Sequence, residues 1–343
     1  MIAFASDQHF LHDPPYAFVR GALAKPLERP SRVTQLRAAL ADLGIVPQPP
    51  AEHDIADVLA VHDRPLVDFL RSGFAEARAL GAPEVLIPDI FAHERLVPAG
   101  RWRPQLASPA LPGAMCFDCS SPLVECTWLA ALASAHCALS GARAIESGQP
   151  LVYSLCRPPG HHAGGSFYGG FCYLNNSAIA ARYLISVGRK PAVLDLDIHH
   201  GNGTQAIFWD DPRVLAISIH QHPSYGYPYF TGYTDEVGGS QAENMNCNLT
   251  LDRGCDDVTY EGVLEAALDR ITLFGADSVV VPLGLDGHLA DPLSETALTA
   301  SGYVAFAKAV RQLDVPLLIV QEGGYATEVL RESLRAFLGG LMS

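Results

Sequence analysis

Basic side chains are scarce in this sequence. Among 343 residues there are 23 lysines and arginines against 37 aspartates and glutamates, a formal net charge of −14. Nucleic-acid binding draws most of its affinity from neutralised phosphates, so a chain this acidic is a poor candidate for it. The balance suits a cationic small molecule, although acidity also serves solubility alone. Long apolar runs are missing too, even though 49% of the residues are hydrophobic. None approaches the ~20 residues that cross a bilayer, which argues for a large buried core and against a membrane partner. The opening MIAFASDQHFLHD lacks a basic stretch followed by a long apolar one, so no secretory signal is expected. Eight cysteines in a chain of this length do not make a compact disulfide framework. Cys137, Cys156 and Cys172 sit inside apolar segments, where thiols act as small core residues. Cys116 and Cys119 form one Cys-x-x-Cys without a second, so a zinc ribbon is not expected. The expected compartment is the reducing cytoplasm.

The periodicity predicts helices over 31–44, with Ser31 as N-cap, and over most of 55–80, with a break near Pro65. Thr127–Ser147, rich in Ala and Leu, predicts another. Residues 88–122 hold six prolines and no clear periodicity, which predicts one long loop of 35 residues. Loops of that length are usually functional or interfacial. From residue 151 the chain alternates: strands over 151–156, 191–197, 214–219, 278–285 and 315–321, and helices over 174–187, 203–209, 257–274 and 302–312. That rhythm predicts an α/β fold, a single domain over 1–343 with a mainly parallel central sheet covered by helices on both faces. Its chemistry is then expected at the carboxyl ends of the strands.

One stretch organises the rest: PAVLDLDIHHGNGT, residues 191–204. Side chains alternate along a strand, so Asp195, Asp197 and His199 point one way and Leu194, Leu196 and Ile198 the other. Three polar groups on one face of a core strand are costly unless something holds them. Carboxylates with a neutral imidazole are the ligands of a hydrolytic zinc site, so a divalent metal is the economical reading. A second stretch, RPPGHHA at 157–163, follows the apolar run 151–156. Adjacent histidines on a loop point in different directions, which suits His161 and His162 to separate roles, one as general base and one as electrostatic partner. The tail QEGGY, residues 321–325, offers a phenol after two glycines at another strand end.

These pieces resemble the arginase–deacetylase superfamily, and within it the bacterial acetylpolyamine amidohydrolases and class II-like histone deacetylases. The resemblance rests on PLERPSR (26–32), VHD (61–63), SLCRPPGHHA (154–163), GGFCYLNNSAIAA (169–181), LDLDIHHGNGTQAIF (194–208), SIH (218–220), LGLDGHLADP (283–292) and EGGY (322–325), spread in order over nearly the whole chain. It implies a zinc ion held by Asp197, His199 and Asp286. It implies His162 as the base, His161 paired with Asp195 as a more cationic partner, and Tyr325 as donor to the developing oxyanion. Phe171 and Tyr173 become candidate pocket walls. Asp195, the His199 carbonyl, Ser218 and the Ile219 carbonyl match a site for a monovalent ion, K+, in deacetylases.

Two departures stand out. Asn202 replaces the aspartate that histone-type enzymes place beside the second histidine, leaving His162 harder to protonate. Gly287–His288 replaces a threonine-containing tract after Asp286, and His288 is a candidate pocket residue. The implied activity is hydrolysis of small N-acyl amines, acetylpolyamine-like, or of other N-substituted carboxamides. The 93–122 segment, with Glu94 and Asp118 against Arg95, Arg101 and Arg103, is not itself polyamine-attracting. Protein acetyl-lysine deacetylation, a manganese ureohydrolase and a zinc-containing binding module remain alternatives. The long loop is expected to shape the entrance and a subunit contact in a homo-oligomer, a dimer or tetramer.

Overall fold

A computed structural model describes residues 1–19, 21–93 and 111–343. The chain runs β1 (Ile2–Phe4), a 3-10 turn (Asp7–Phe10), β2 (Ala17–Val19), β3 (Ala22–Ala24), α1 (Ser31–Asp42), α2 (Ile55–Leu59), α3 (Arg64–Ala79), α4 (Leu111–Met115) and α5 (Thr127–Glu146). Then follow β4 (Leu151–Ser154), α6 (Asn176–Ser186), β5 (Pro191–Asp195), α7 (Asn202–Phe208), β6 (Leu215–Gln221) and β7 (Asn246–Leu251). The last elements are α8 (Asp257–Phe274), β8 (Ser278–Leu283), α9 (Ala300–Arg311), β9 (Leu317–Gln321) and α10 (Thr327–Met342).

Seven strands form one parallel sheet in the order β1-β4-β9-β8-β5-β6-β7, and β2 and β3 form a separate antiparallel hairpin. Helices cover both faces, as the alternation predicts. Leu194, Leu196 and Ile198 pack on the face that holds Leu36, Tyr260, Phe306 and Phe337 of α1, α8, α9 and α10. Val193 packs on the opposite face with Leu66, Ala138 and Ile179 of α3, α5 and α6. Each such aliphatic side chain contributes roughly 1.5–3 kcal/mol by leaving water. Among the described residues, no helix is long and apolar enough to cross a membrane.

Side-chain caps set several helix starts. Asn175 accepts the Ala178 N–H at 2.9 Å and Asp256 accepts that of Thr259 at 3.0 Å. Gly275 closes α8 in the left-handed region, φ 70°. The 31–44 expectation needs correction: Pro30 occupies the cap position, without a side-chain hydrogen bond, and Ser31 is the first helical residue. The 55–80 segment divides at residues 60–63, and Pro65 sits in the first turn of α3, where its missing N–H costs nothing. The 88–122 segment is not structureless throughout. It contains α4, Phe117 donates to the Tyr168 carbonyl at 3.1 Å, and just outside its ends Leu86 and Leu123 exchange backbone hydrogen bonds at 2.9 Å. Residues 94–110 of that segment lie outside the described residues. Strands β1 and β7, the hairpin and α10 have no counterpart in the expectation.

Candidate active site

The strand order explains why distant motifs meet. β4, β9, β8 and β5 are consecutive neighbours, and their carboxyl ends lead respectively to His161–His162, Tyr325, Asp286 and Asp197–His199. β5 ends at Asp195 rather than 197, but the alternation continues beyond it, because Leu196 and Ile198 still enter the core.

Asp197, His199 and Asp286 each bring one ligand-type atom within 4.8 Å of the others, all three buried. His199 Nδ1 lies 3.1 Å from Asp197 Oδ1 and 3.0 Å from Asp286 Oδ2. No lysine or arginine is ion-paired to either carboxylate among the described residues. Burial and the charge of Asp197 push the Asp286 carboxyl upward, and burial opposes but Asp197 and Asp286 lift the His199 imidazolium to about 10. The pocket therefore draws positive charge, and two oxygens with one imidazole nitrogen fit the donor set of a catalytic zinc. Gly323 lets this happen. A Cβ there would lie 2.2 Å from Asp286 Oδ2 and 2.6 Å from Asp197 Oδ2.

The two histidine rings lie against each other, centroids 4.0 Å apart, but take different partners. His161 Nδ1 lies 3.0 Å from Asp195 Oδ2, and Nε2 3.7 Å from Asp197 Oδ1. Burial works against its charged form, but Asp197 and Asp195 outweigh burial and raise it to about 10. His162 Nδ1 lies 2.7 Å from Asn202 Oδ1. An amide oxygen only accepts, so Nδ1 carries the proton and Nε2 is left as acceptor. Burial, then the positive charge of His161 and His199, holds His162 well below the ordinary imidazole value.

A cavity of about 400 Å³ opens over this floor. Its lining includes His162, His199, Phe171, Tyr227, Tyr325 and Asp118. Phe171, at φ 66°, and the Tyr325 ring stand edge to face with centroids 5.4 Å apart. A left-handed aromatic is a strained choice that local packing must hold. Burial and Asp286 push the Tyr325 phenol well above its usual range, so it remains a donor. Arg32 lies over its ring, 5.0 Å from the centroid, and Asp291 Oδ2 accepts the Tyr325 N–H at 2.6 Å.

Two expected wall residues are elsewhere. Tyr173 is a core residue: its hydroxyl donates to the Pro122 carbonyl at 2.6 Å and its ring stacks on Tyr168. His288 is half-buried outside the cavity, and its Nδ1 accepts the Ala290 N–H at 3.1 Å. A histidine that caps its own turn does not reach the floor. Asp195 and Ser218 are register partners on β5 and β6 and line one small cavity, while the Ile219 side chain enters the core. The Ser218 hydroxyl is 2.8 Å from His220 Nδ1.

Several contributors escaped sequence reasoning. Tyr227 packs edge-on to His162 at 4.9 Å and donates from its hydroxyl to Asp118 at 2.9 Å. Glu295 adds a second acid to the cavity lining, in which no lysine or arginine occurs among the described residues. Arg32, Asp291 and Glu322 support the Tyr325 turn. The quoted motifs contain these three, but nothing in spacing distinguished support from packing.

Comparison with known proteins identifies the family. The family model of the histone deacetylase domain matches residues 26–341. The chain belongs to the histone deacetylase family. It is 38% identical over 342 residues to the acetylpolyamine amidohydrolase of Burkholderia pseudomallei, covering 99% of this chain and 98% of that one. It is 37% identical over 331 residues to acetylpolyamine amidohydrolase 2 of Pseudomonas aeruginosa, covering 96% and 95%. The crystal structure of acetylpolyamine aminohydrolase from Burkholderia pseudomallei superposes with a TM-score of 0.94 at 37% identity, covering 100% of this chain and 99% of that one. The fold is that of these deacetylases: one parallel seven-stranded sheet flanked by helices.

Proposed function

We propose that this protein is a zinc-dependent amidohydrolase cleaving small N-acyl amines of the acetylpolyamine kind. The observation that carries the reading is the buried Asp197–His199–Asp286 set, which reaches one cavity through His199 beside His162 and Tyr325. Zinc held by those three residues would supply Lewis acidity, activating water and polarising the amide carbonyl. The remaining steps belong to the chain's own groups. His162, neutral and with Nε2 free, accepts the proton of the attacking water and returns it to the leaving nitrogen. His161, held by Asp195, stays cationic and favours negative charge developing nearby. Tyr325 donates to the oxyanion that forms as the carbonyl is attacked.

Asp118, which forms no ion pair among the described residues, favours a cationic amine portion, whereas Glu295 on the same lining is already paired with Arg253. The aromatic walls, Phe171, Tyr225, Tyr227 and Tyr229, also accept a neutral N-aryl amide, which is the second reading. The Asp195–Ser218–Ile219 neighbourhood is proposed to hold K+, which would offset the carboxylates behind the zinc. Eight free cysteines, six of them buried, fit a reducing cytoplasm. We also propose a homo-oligomer in which residues 88–122 contribute to the contact, tested by light scattering of wild type against a loop-shortened variant.

The deciding experiment measures kcat/KM for acetylputrescine, acetylspermidine, an acetyl-lysine peptide and a neutral acetanilide, with zinc content in parallel. Cleavage of acetylated amines by protein carrying about one zinc per chain supports the reading. Two tightly bound manganese ions, or no hydrolysis across the panel, sink it.

A further inference from the structure

The EGGY tail contributes more than its tyrosine. Glu322 is fully buried, yet the reaction above does not use its carboxylate. Oε2 accepts the Gly160 N–H at 2.6 Å and the His161 N–H at 3.1 Å, and Oε1 accepts the Ser177 hydroxyl at 3.3 Å. Through its backbone the same residue faces the other way: its carbonyl accepts Arg32 Nη2 at 2.5 Å, and Arg32 Nε donates to the Gly324 carbonyl at 2.6 Å. One residue therefore joins the two-histidine loop after β4 to the tyrosine turn after β9, the two strands being neighbours.

We propose that Glu322 is a positioning residue that fixes the His161–His162 loop against the Tyr325 turn, so that base and oxyanion donor face the same substrate carbon. The proposal builds on the amidohydrolase reading. An unpaired buried carboxylate is costly, and this one forms no ion pair among the described residues. Its three hydrogen-bond donors are what hold it. His161, Cys172 and Glu322 also bring ligand-type atoms within 4.8 Å of each other. A second metal is the weaker account of that cluster. Burial and Glu322 keep the Cys172 thiol protonated, and Oε2 is already filled by two N–H groups.

The claim concerns reach rather than charge, and two substitutions separate them. Glu322→Gln retains one side-chain oxygen at full length for the two N–H groups, and its NH2 can donate to Ser177. Glu322→Asp keeps the carboxyl group but is one methylene shorter, about 1.5 Å, and cannot span to both. Each variant is assayed as zinc-loaded full chain, with kcat per bound zinc and KM for acetylputrescine, and with amide exchange at Gly160 and His161.

The Gln variant should stay within about threefold of wild type in kcat, with both amides protected. The Asp variant should lose about 10- to 100-fold in kcat, the scale of a small misplacement of reacting groups. Its KM and zinc content should be unchanged, and its two amides should exchange faster. The reverse order of the two variants, a loss carried by KM, or an Asp variant equal to wild type overturns the proposal. So does an Asp variant that fails to fold while the Gln variant folds, because the role is then stability. Wild-type inactivity on all amides would refute the hydrolase reading instead, and the exchange data would still decide the positioning.

Discussion

Replacing Asn202 by aspartate tests the proposed base more sharply than deleting it. Asn202 Oδ1 lies 2.7 Å from His162 Nδ1, so the amide orients the ring without adding charge. A carboxylate in its place keeps the acceptor and adds a negative charge beside a buried imidazole. With charge centres about 4 Å apart, the attraction is about 4 kcal/mol at an effective dielectric of 20 and about 1 kcal/mol in water. At about 1.4 kcal/mol per pKa unit, the imidazolium is stabilised by about 1 to 3 units, the range an adjacent opposite charge typically produces.

The sign follows from the role. A base must be neutral to accept a proton, so activity disappears as pH falls through its pKa. In the wild type that value is depressed, by burial first and then by His161 and His199, and the acidic limb should lie below the ordinary imidazole value. Asn202→Asp should move the limb upward by about 1 to 3 pH units while zinc content and the alkaline plateau persist. The assay is kcat/KM for acetylputrescine from about pH 5 to pH 9. A limb that stays in place or moves down would refute His162 as the base. A uniform loss at every pH would mean damaged geometry and would count against the argument equally.

Other changes read out other parts of the site. Tyr325→Phe should lose about 10²–10³ in kcat, with KM and zinc little changed; near-normal kcat would remove the phenol from the reaction. Gly323→Ala places a Cβ 2.2 Å from Asp286 Oδ2, and metal analysis of the purified variant should show zinc lost. Asp118→Asn should raise KM for acetylputrescine about three- to tenfold relative to acetanilide, on the order of 1 kcal/mol for a partly screened charge. An equal change for both substrates would exclude Asp118 from cation recognition. Burial holds His12 neutral down to about 3. Below its unfolded value the unfolded chain binds a proton that the folded chain refuses, so stability is lost as pH falls. His12→Gln should flatten the unfolding free energy against pH by about 1.4 kcal/mol per unit between pH 6 and pH 4, measured in urea; an unchanged slope would show that His12 titrates in the folded protein.

What was legible in the sequence were features with a period or a fixed chemistry. The apolar alternation through 191–198 gave β5 and the direction of its polar face. The βα rhythm gave the parallel sheet. The edge strand β1 escaped because it has only three residues, whereas β7, Asn246–Leu251, alternates Asn, Asn and Thr with Cys and Leu as a half-buried strand does, so its signal was present in the sequence. Tyr173 and His288 were misplaced for a different reason. A residue's nearness to a motif in sequence does not say which way its side chain turns, and each found a hydrogen-bond partner away from the cavity.

The charge of the entrance shows the same limit more clearly. Counted along residues 93–122, arginines outnumber acids, and the segment looks unsuited to an ammonium group. The cavity wall is not one segment. It draws Asp118 from that stretch, Tyr225, Tyr227 and Tyr229 from the turn after β6, and Glu295 from the turn after Asp286. Asp118 is held in place by the Gly170 N–H at 2.9 Å, the Tyr227 hydroxyl at 2.9 Å and the Ser120 N–H at 3.1 Å. Arg253 pairs with Glu295 and stacks on Tyr225, which leaves Asp118 as the acid of this wall without a guanidinium partner among the described residues. Screening confines an exposed charge to about 8–10 Å at ordinary salt. The field met by a substrate is therefore set by the side chains that line its path rather than by the segment's net charge. On that basis Asp118 is the wall group expected to favour an amine-bearing amide over its neutral counterpart, a preference the paired acetylputrescine and acetanilide measurements read directly.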